Sequence, residues 1–220
     1  MRDAPRLRGG LVARVVALFF GLVSIAVAIV FLLESKLGLA PWDVFHLGVA
    51  AHTPLTIGWV SVAVGLVVLM VAWAVGAQPG FGTVANAVVI GVAIEALLAF
   101  DGVTGLSEAD LAVRAGLLVA GVVLFGVGSA LYIGAGLGAG PRDSLMLALS
   151  ARTGRRIGLV RGSMEVTVLL AGIVLGGTAG IGTVAVALLL GPAVEGSFWA
   201  LARIGWAERA THVAPSSDGR

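Results

Sequence analysis

The chain of 220 residues is 59% hydrophobic and only 12% charged. Soluble domains carry about 25% charged residues, so this composition cannot cover a globule of this size with a solvated surface. The chain contains no cysteine, which excludes disulfides, thiolate nucleophiles and cysteine-ligated metal sites. Because the net charge is only +2 and the basic residues lie at the chain ends and between apolar runs, we do not expect a nucleic-acid partner.

Six apolar segments are separated by glycine, proline or charged residues. A helix of about 20 apolar residues crosses a hydrocarbon core of about 30 Å, so each segment is predicted to span a bilayer. The predicted spans are Leu11 to Leu33, Ile57 to Val75, Thr83 to Phe100, Leu111 to Ile133, Ile157 to Leu175 and Thr183 to Ile204. The expected fold class is therefore an all-α polytopic membrane protein with six transmembrane helices.

The positions of lysine and arginine predict how these spans are oriented. Short cytoplasmic loops retain positive charge, which places the basic N-terminal segment, residues 1–10, in the cytoplasm. With six crossings, the loop that contains Arg152, Arg155 and Arg156 is also cytoplasmic, and so is the C-terminus. Residues 205–220 are polar and are expected to form a disordered tail.

The chain contains an internal repeat with an offset of one hundred residues. Between residues 37–95 and 137–195, 22 of the 59 aligned positions are identical, whereas composition alone predicts roughly 10% identity. The repeat units, residues 11–100 and 111–204, each hold three spans, so the second unit enters the membrane from the opposite side. This inverted arrangement is typical of transporters, whose substrate site lies near the midplane between the repeats.

Each unit carries a glycine and proline motif that predicts a short helix. Gly38 and Gly138 loosen the chain, and Pro41 and Pro141 suit a first helical position. The helices predicted at residues 41–51 and 141–151 are too short to span, so they are either interfacial or re-entrant. The motif residues are interpreted either as plain helix starts or as matched gates.

Several polar residues in or near the predicted spans are candidate binding residues for a solute. The candidates are Asp43, Asp143, Glu95, Glu195, Glu165 and Asn86. An acid within a span is costly and usually faces an interior or a water-filled path. For each candidate a structural role is the alternative: the aspartates cap helices, Glu95 and Glu195 hydrogen-bond to neighbouring helices, Glu165 pairs with Arg161, and Asn86 bridges helices.

The sequence contains no pattern of a soluble-type active site. HExxH, GxSxG, Walker and dinucleotide-binding motifs are missing, and the three histidines lack the spacing of metal ligands. We therefore expect no enzymatic activity, no catalytic residue, no metal site and no cofactor.

The repeated motifs also resemble those of a known family. The motif GLAPWDVF at residues 38–45, its copy GAGPRDSL at residues 138–145, and the blocks at 57–58 and 82–83 are similar to the YczE/YyaS/YitT family of integral membrane proteins. The resemblance covers residues 14–203 and implies a bacterial cytoplasmic membrane location. It carries no substrate or catalytic residue to this chain. Arg142 stands in the second motif where the first has Trp42.

These observations lead to two hypotheses about function. The first is a small permease, similar to secondary transporters, with Glu95 and Glu195 lining a central site for a small cationic or protonatable solute, or for a proton. The alternative is a membrane scaffold or regulator that supports another enzyme or a secretion process. The bilayer is an expected partner in both cases, and a homo-oligomer or a protein partner is left open.

Overall fold

The structure is a computed structural model that describes residues 6–207, and this part of the chain is almost entirely helical. Its α-helices are α1 (Leu11–Ser35), α2 (Pro41–Ala50), α3 (Ile57–Ala74), α4 (Phe81–Leu98), α5 (Asp101–Thr104), α6 (Leu111–Ala135), α7 (Pro141–Thr153), α8 (Ile157–Val174) and α9 (Ile181–Arg203). A 3₁₀ turn covers Gly105–Glu108. Six helices, α1, α3, α4, α6, α8 and α9, are long and apolar enough to cross a membrane, as predicted. Of the predicted disordered tail, residues 205–207 are ordered, because Ala207 is buried and forms an isolated β-bridge with Leu7. Residues 208–220 lie outside the described residues.

The starts of the helices follow from local chemistry. At the starts of α4 and α9, the backbone N–H groups of Gly80 and Gly180 donate to the hydroxyls of Thr83 and Thr183, at 3.0 Å and 3.2 Å. These capping contacts place both helix starts two residues before the predicted Thr83 and Thr183, because the threonine occupies the third helical position rather than the first. The short helices α2 and α7 begin at their prolines, as predicted.

Four of the six long helices, α1, α4, α6 and α9, form one layer, called here the long-helix layer. Within it α1 packs along α6, α4 packs on α1, and α9 packs on α6. The helices α2, α3, α7 and α8 form a second layer, called here the mixed layer, in which α2 packs on α8 and α3 packs on α7. Each short helix therefore packs on a long helix of the other repeat unit, so the two units are interlocked.

The α1 and α6 helices cross closely and antiparallel at glycines. A Cβ at Gly21 would lie 2.7 Å from the carbonyl oxygen of Gly128, and a Cβ at Gly121 would lie 3.1 Å from that of Ala28. Neither approach leaves room for a larger side chain without a shift of the backbone. In lipid, where helices gain nothing from burying apolar surface against each other, this close backbone packing supplies much of the association.

The two repeat units also exchange matching polar contacts. The Nε of Arg14 donates to the carbonyl oxygen of Ala135 at 2.6 Å, and the Nε of Arg114 donates to that of Ser35 at 2.8 Å. Each arginine thereby neutralises free carbonyls at the C-terminal end of the opposite helix, where the helix dipole favours a cation. The two units therefore contact each other reciprocally at these helix ends.

The α1 and α6 crossing yields a stability prediction. Gly21→Leu should lower the free energy of unfolding by about 1–3 kcal/mol, because the added side chain forces the two backbones apart. Gly116→Leu is the matched control on α6, since a Cβ there meets nothing within 4 Å. Thermal unfolding in detergent measures both. Equal effects of the two substitutions would show that the crossing does not stabilise the fold.

Insertion of the two units from opposite sides of a membrane stays a prediction, and the chain is well suited to test it. Thr53 and Thr153 are equivalent exposed positions near the C-terminal ends of the two short helices, and the chain has no native cysteine. Single cysteines at these positions should react with an impermeant maleimide from opposite sides of sealed vesicles. Labelling of both positions from the same side would rule out the inverted arrangement.

Candidate functional site

A cavity of about 460 Å³ lies between the long-helix layer and the mixed layer. The N-terminal ends of both short helices reach it, through Ala40 and Pro41 of the first unit and through Gly140 of the second. Its outer walls are α8 and α9, which scarcely contact each other. Both repeat units therefore contribute to one cavity, and both short helices begin beside it within the bundle. Whether they are re-entrant or interfacial in a membrane stays a prediction.

The glycine and proline motifs place the short helices at this depth. Gly38 and Gly138 adopt φ values of +141° and +137°, which only glycine tolerates readily. A Cβ at Gly138 would lie 2.8 Å from the hydroxyl oxygen of Thr83. The turn at each glycine reverses the chain within the bundle, and the proline then starts the short helix. The predicted motif residues thus act as helix starts, and any gating role for them stays a prediction.

Arg142 connects the starts of the two short helices. Its guanidinium lies 4.9 Å from the ring centroid of Trp42 and 3.9 Å from the Oδ1 of Asp43. Asp43 is only 1% exposed, and neither carboxylate oxygen has a hydrogen-bond partner among the described residues, although the Nδ1 of His46 lies 3.5 Å away. Arg142 itself is about one-third exposed and lines the cavity. Asp43 lies behind this arginine and does not line the cavity.

A hydrogen-bonding cluster surrounds the start of α7. The hydroxyl of Tyr132 donates to the Oδ2 of Asp143 at 2.6 Å, which fixes the carboxylate at the cavity wall. Asn86 of α4 also lines the cavity, and a Cβ at Gly140 would lie 3.3 Å from its Oδ1. The structure thus brings together the predicted residues Asp143 and Asn86, which are far apart in the sequence.

Two further predicted acids line the walls formed by α8 and α9. Glu165 accepts a hydrogen bond from the Nε of Arg161 at 3.3 Å, so the intrahelical pair considered from the sequence is present. Glu195 is exposed on α9 and lines the cavity. Within residues 6–207 it forms no ion pair or hydrogen bond through its side chain. Glu195 is therefore the acid whose charge is most available to a ligand.

Glu95 does not line this cavity, so the expectation that Glu95 and Glu195 share one site is wrong for this structure. The Oε1 of Glu95 accepts hydrogen bonds from the hydroxyl of Thr56 and, at 2.9 Å, from the backbone N–H of Gly58. It caps the start of α3. The physical reason is that α3 and α4 pack together along their length, whereas α8 and α9 are apart.

Sequence reasoning missed two cavity residues, Arg142 and Tyr132. A signal existed for the arginine, because it replaces Trp42 at the matching position of an otherwise repeated motif. Tyr132 is the only tyrosine in the chain and lies near the end of a predicted span, where an aromatic residue is commonplace. Nothing in its sequence context indicated a hydrogen bond to Asp143.

Comparison with known proteins assigns the chain to a family. A family model described as "Family of unknown function (DUF6198)" matches residues 12–197. The chain belongs to this family. It is 39% identical over 186 residues to the uncharacterized membrane protein YczE of Bacillus subtilis (strain 168), which covers 82% of this chain and 83% of that protein. An uncharacterized protein of Haemophilus influenzae is 36% identical over 181 residues, covering 81% and 80% of the two chains. No solved structure matches the chain.

These similarities confirm the resemblance to the YczE family that the repeated motifs indicated. The matched segment, residues 12–197, contains both short helices and every cavity residue named above. The chain is therefore a membrane protein of this family whose cavity lies wholly within the family's shared region.

The contact between Arg142 and Asp43 yields a prediction about the stability of the protein. Arg142→Gln should lower the free energy of unfolding by about 1–3 kcal/mol, because it leaves a buried carboxylate without its cation. Adding Asp43→Asn should restore at least half of the loss, since the uncompensated charge is then gone. Thermal unfolding of the two single variants and the double variant measures the coupling. Additive losses in the double variant would show that the two residues are not coupled.

Proposed function

We propose that the protein is a small permease that moves a polar solute through the cavity between its two layers. The observation that carries this proposal is the cavity itself, which both repeat units line and into which both short helices point their N-terminal ends. Membrane proteins built from inverted repeats commonly bind their substrate between the repeats, at the ends of such broken helices. The cavity volume of about 460 Å³ lies in the range of small-molecule sites.

The distribution of charge supports a transport role over a purely structural one. Only 12% of the residues are charged, yet five charged side chains line this one cavity: Arg142, Asp143, Arg161, Glu165 and Glu195. A charge within the membrane is costly unless it is paired or faces a water-filled path. A scaffold whose interior only had to pack would be more stable with apolar residues at these positions.

The available groups favour a solute with a cationic end and hydrogen-bonding groups. Three carboxylates and two guanidiniums line the cavity, and the carboxylate of Glu195 is the one without a partner in the described chain. Asp143 and Asn86 supply acceptors on the opposite wall. An amine, an amino acid or an organic cation of matching size fits this set, and a proton on Glu195 is the smallest such cation.

We further propose that the cavity opens toward the cytoplasm. The cavity is lined by residues 161–165 in the first half of α8 and by residues 186–195 in the middle of α9, so on α8 it lies toward the end of the bundle where that helix begins. That end carries Arg152, Arg155 and Arg156, and clustered basic residues mark the cytoplasmic side of bacterial membrane proteins. Both termini are proposed to lie on this side of the cytoplasmic membrane.

The test of the permease proposal is ligand-induced stabilisation of the purified protein against a panel of amines, inorganic cations, amino acids and sugars. A ligand at one hundred times its Kd stabilises the folded state by about 2.7 kcal/mol, which is measurable as a rise in Tm. Glu195→Gln should weaken binding of the stabilising ligand about tenfold or more, because a charged contact in the cavity is lost.

Glu108→Gln is the control, because Glu108 is an exposed glutamate of the 3₁₀ turn and does not line the cavity. It should leave the ligand affinity within about twofold of the original. Uptake of the same ligand into proteoliposomes then completes the test. If no compound in the panel raises the Tm, the scaffold alternative is favoured, and capture of a protein partner becomes the next experiment.

A further inference from the structure

The two repeat units share many contacts but differ strongly in one helix pair. The backbone N–H of Gly82 donates to the carbonyl oxygen of Leu137 at 2.8 Å, and that of Gly182 donates to Leu37 at 2.8 Å. In contrast, α3 packs closely on α4, whereas the equivalent helices α8 and α9 scarcely touch. The long-helix layer and the mixed layer are thus in contact between α3 and α4, called here the closed end, and apart between α8 and α9, called here the open end.

Glycines lie at the contact between α3 and α4. Equivalent glycines lie on α8 and α9, where no contact is formed. A Cβ at Gly58 would lie 2.5 Å from the carbonyl oxygen of Gly91, so glycine at Gly58 is required where α3 crosses α4. The equivalent residues on α8 and α9 are Gly158 and Gly191, and a Cβ at either one meets nothing within 4 Å. Glycine weakens a helix by about 1 kcal/mol relative to alanine, and nothing in the present conformation offsets that cost at Gly158 and Gly191.

The residues that form a polar contact at the closed end have equivalents at the open end, but there they lie apart. Glu95 caps the start of α3 through the N–H of Gly58 and the hydroxyl of Thr56. The equivalents are Glu195, Gly158 and, in place of the threonine, Arg156. The first turn of α8 has no side-chain cap, and the Glu195 carboxylate has no partner within residues 6–207. An arginine at this position would form an ion pair with a glutamate that closed on it.

We propose that the protein has a second conformation in which α8 and α9 close and α3 and α4 separate. In it Gly158 packs against Gly191, and Glu195 caps the start of α8 and pairs with Arg156. The mixed layer rocks against the long-helix layer, and the backbone hydrogen bonds at Leu37 and Leu137, which both units share, serve as pivots. Because the two units carry the same glycines and the same glutamate at these positions, exchanging their roles forms the equivalent contacts between α8 and α9.

This inference deepens the proposed function, because the exchange exposes the cavity first at one end and then at the other. It rests on the proposed function for the identity of the moving solute, but not for the motion itself. In the second conformation the cavity opens beside Glu95, which then takes the exposed position that Glu195 occupies here. Each glutamate is thus a cap in one conformation and a cavity group in the other.

Matched cysteine pairs test the exchange, since the chain has no native cysteine. A Cβ at Gly65 would lie 3.2 Å from the Cβ of Ala87, close to the separation in a disulfide, so Gly65→Cys with Ala87→Cys should crosslink α3 to α4 in the present conformation. The equivalent pair, Glu165→Cys with Ala187→Cys, lies on the facing walls of the cavity. It should also form an intramolecular disulfide under oxidation in membranes, which only the second conformation permits. Protection of both thiols from maleimide-PEG in the monomer band is the readout.

Two single substitutions on α8 make the test specific. Gly158→Val should slow formation of the Glu165→Cys and Ala187→Cys disulfide at least tenfold, because a side chain there would collide with α9 as one at Gly58 would with α4. Gly162→Val is the control: a Cβ at Gly162 also meets open space, but its equivalent in the closed contact is already Val62. It should leave the rate within about twofold. Both valines fit the present structure, so neither is expected to impair folding.

The outcomes separate this inference from the permease proposal. If the α3 and α4 pair crosslinks and the α8 and α9 pair does not, the second conformation is refuted. A disulfide found only in a dimer band, or a rate that Gly158→Val leaves unchanged, refutes it as well. If the α8 and α9 pair crosslinks as expected but no solute is bound or transported, the two-conformation inference stands and the permease proposal fails.

Discussion

Two backbone hydrogen bonds, from Gly82 to Leu137 and from Gly182 to Leu37, hold the centre of this protein together. They join the turn before each short helix to the start of a long helix in the other repeat unit. Without them, a turn and a short helix would expose unpaired backbone groups to lipid, which costs several kcal/mol for each group. Because both turns are anchored, α2 and α7 enter the bundle, and a cavity forms where their N-terminal ends meet.

The acidic residues in and beside this cavity differ in how far a neighbouring cation or hydrogen-bond donor balances their charge. Asp43 is buried and balanced through space by Arg142, Asp143 is held by Tyr132, and Glu165 is paired on its own helix. Glu195 is left exposed to the cavity. The charged groups therefore range from fully enclosed to exposed, and the exposed group is the one that the proposed solute would meet.

Much of the candidate site could be predicted from the sequence, and the error at Glu95 has a clear physical cause. The motif residues, Asp143, Asn86 and Glu195 were all identified as candidates from their residue type and position. Glu95 was grouped with Glu195 because the repeat makes them equivalent in sequence. They differ in the structure because the two units adopt different packing, and a sequence repeat specifies which contacts are available without specifying which of them are formed at one time.

The sequence by itself determined the six long helices, the two short helices and their equivalence, because these depend on apolar length, on proline and glycine, and on the repeat. It also determined membership of the family through the motifs at residues 38–45 and 138–145. Only the tertiary structure decided that each short helix packs on the other unit, that Arg142 reaches Asp43, and that the cavity opens between α8 and α9. The physical reason is that helices form from interactions within a few residues, whereas a cavity is the space left between elements distant in the chain.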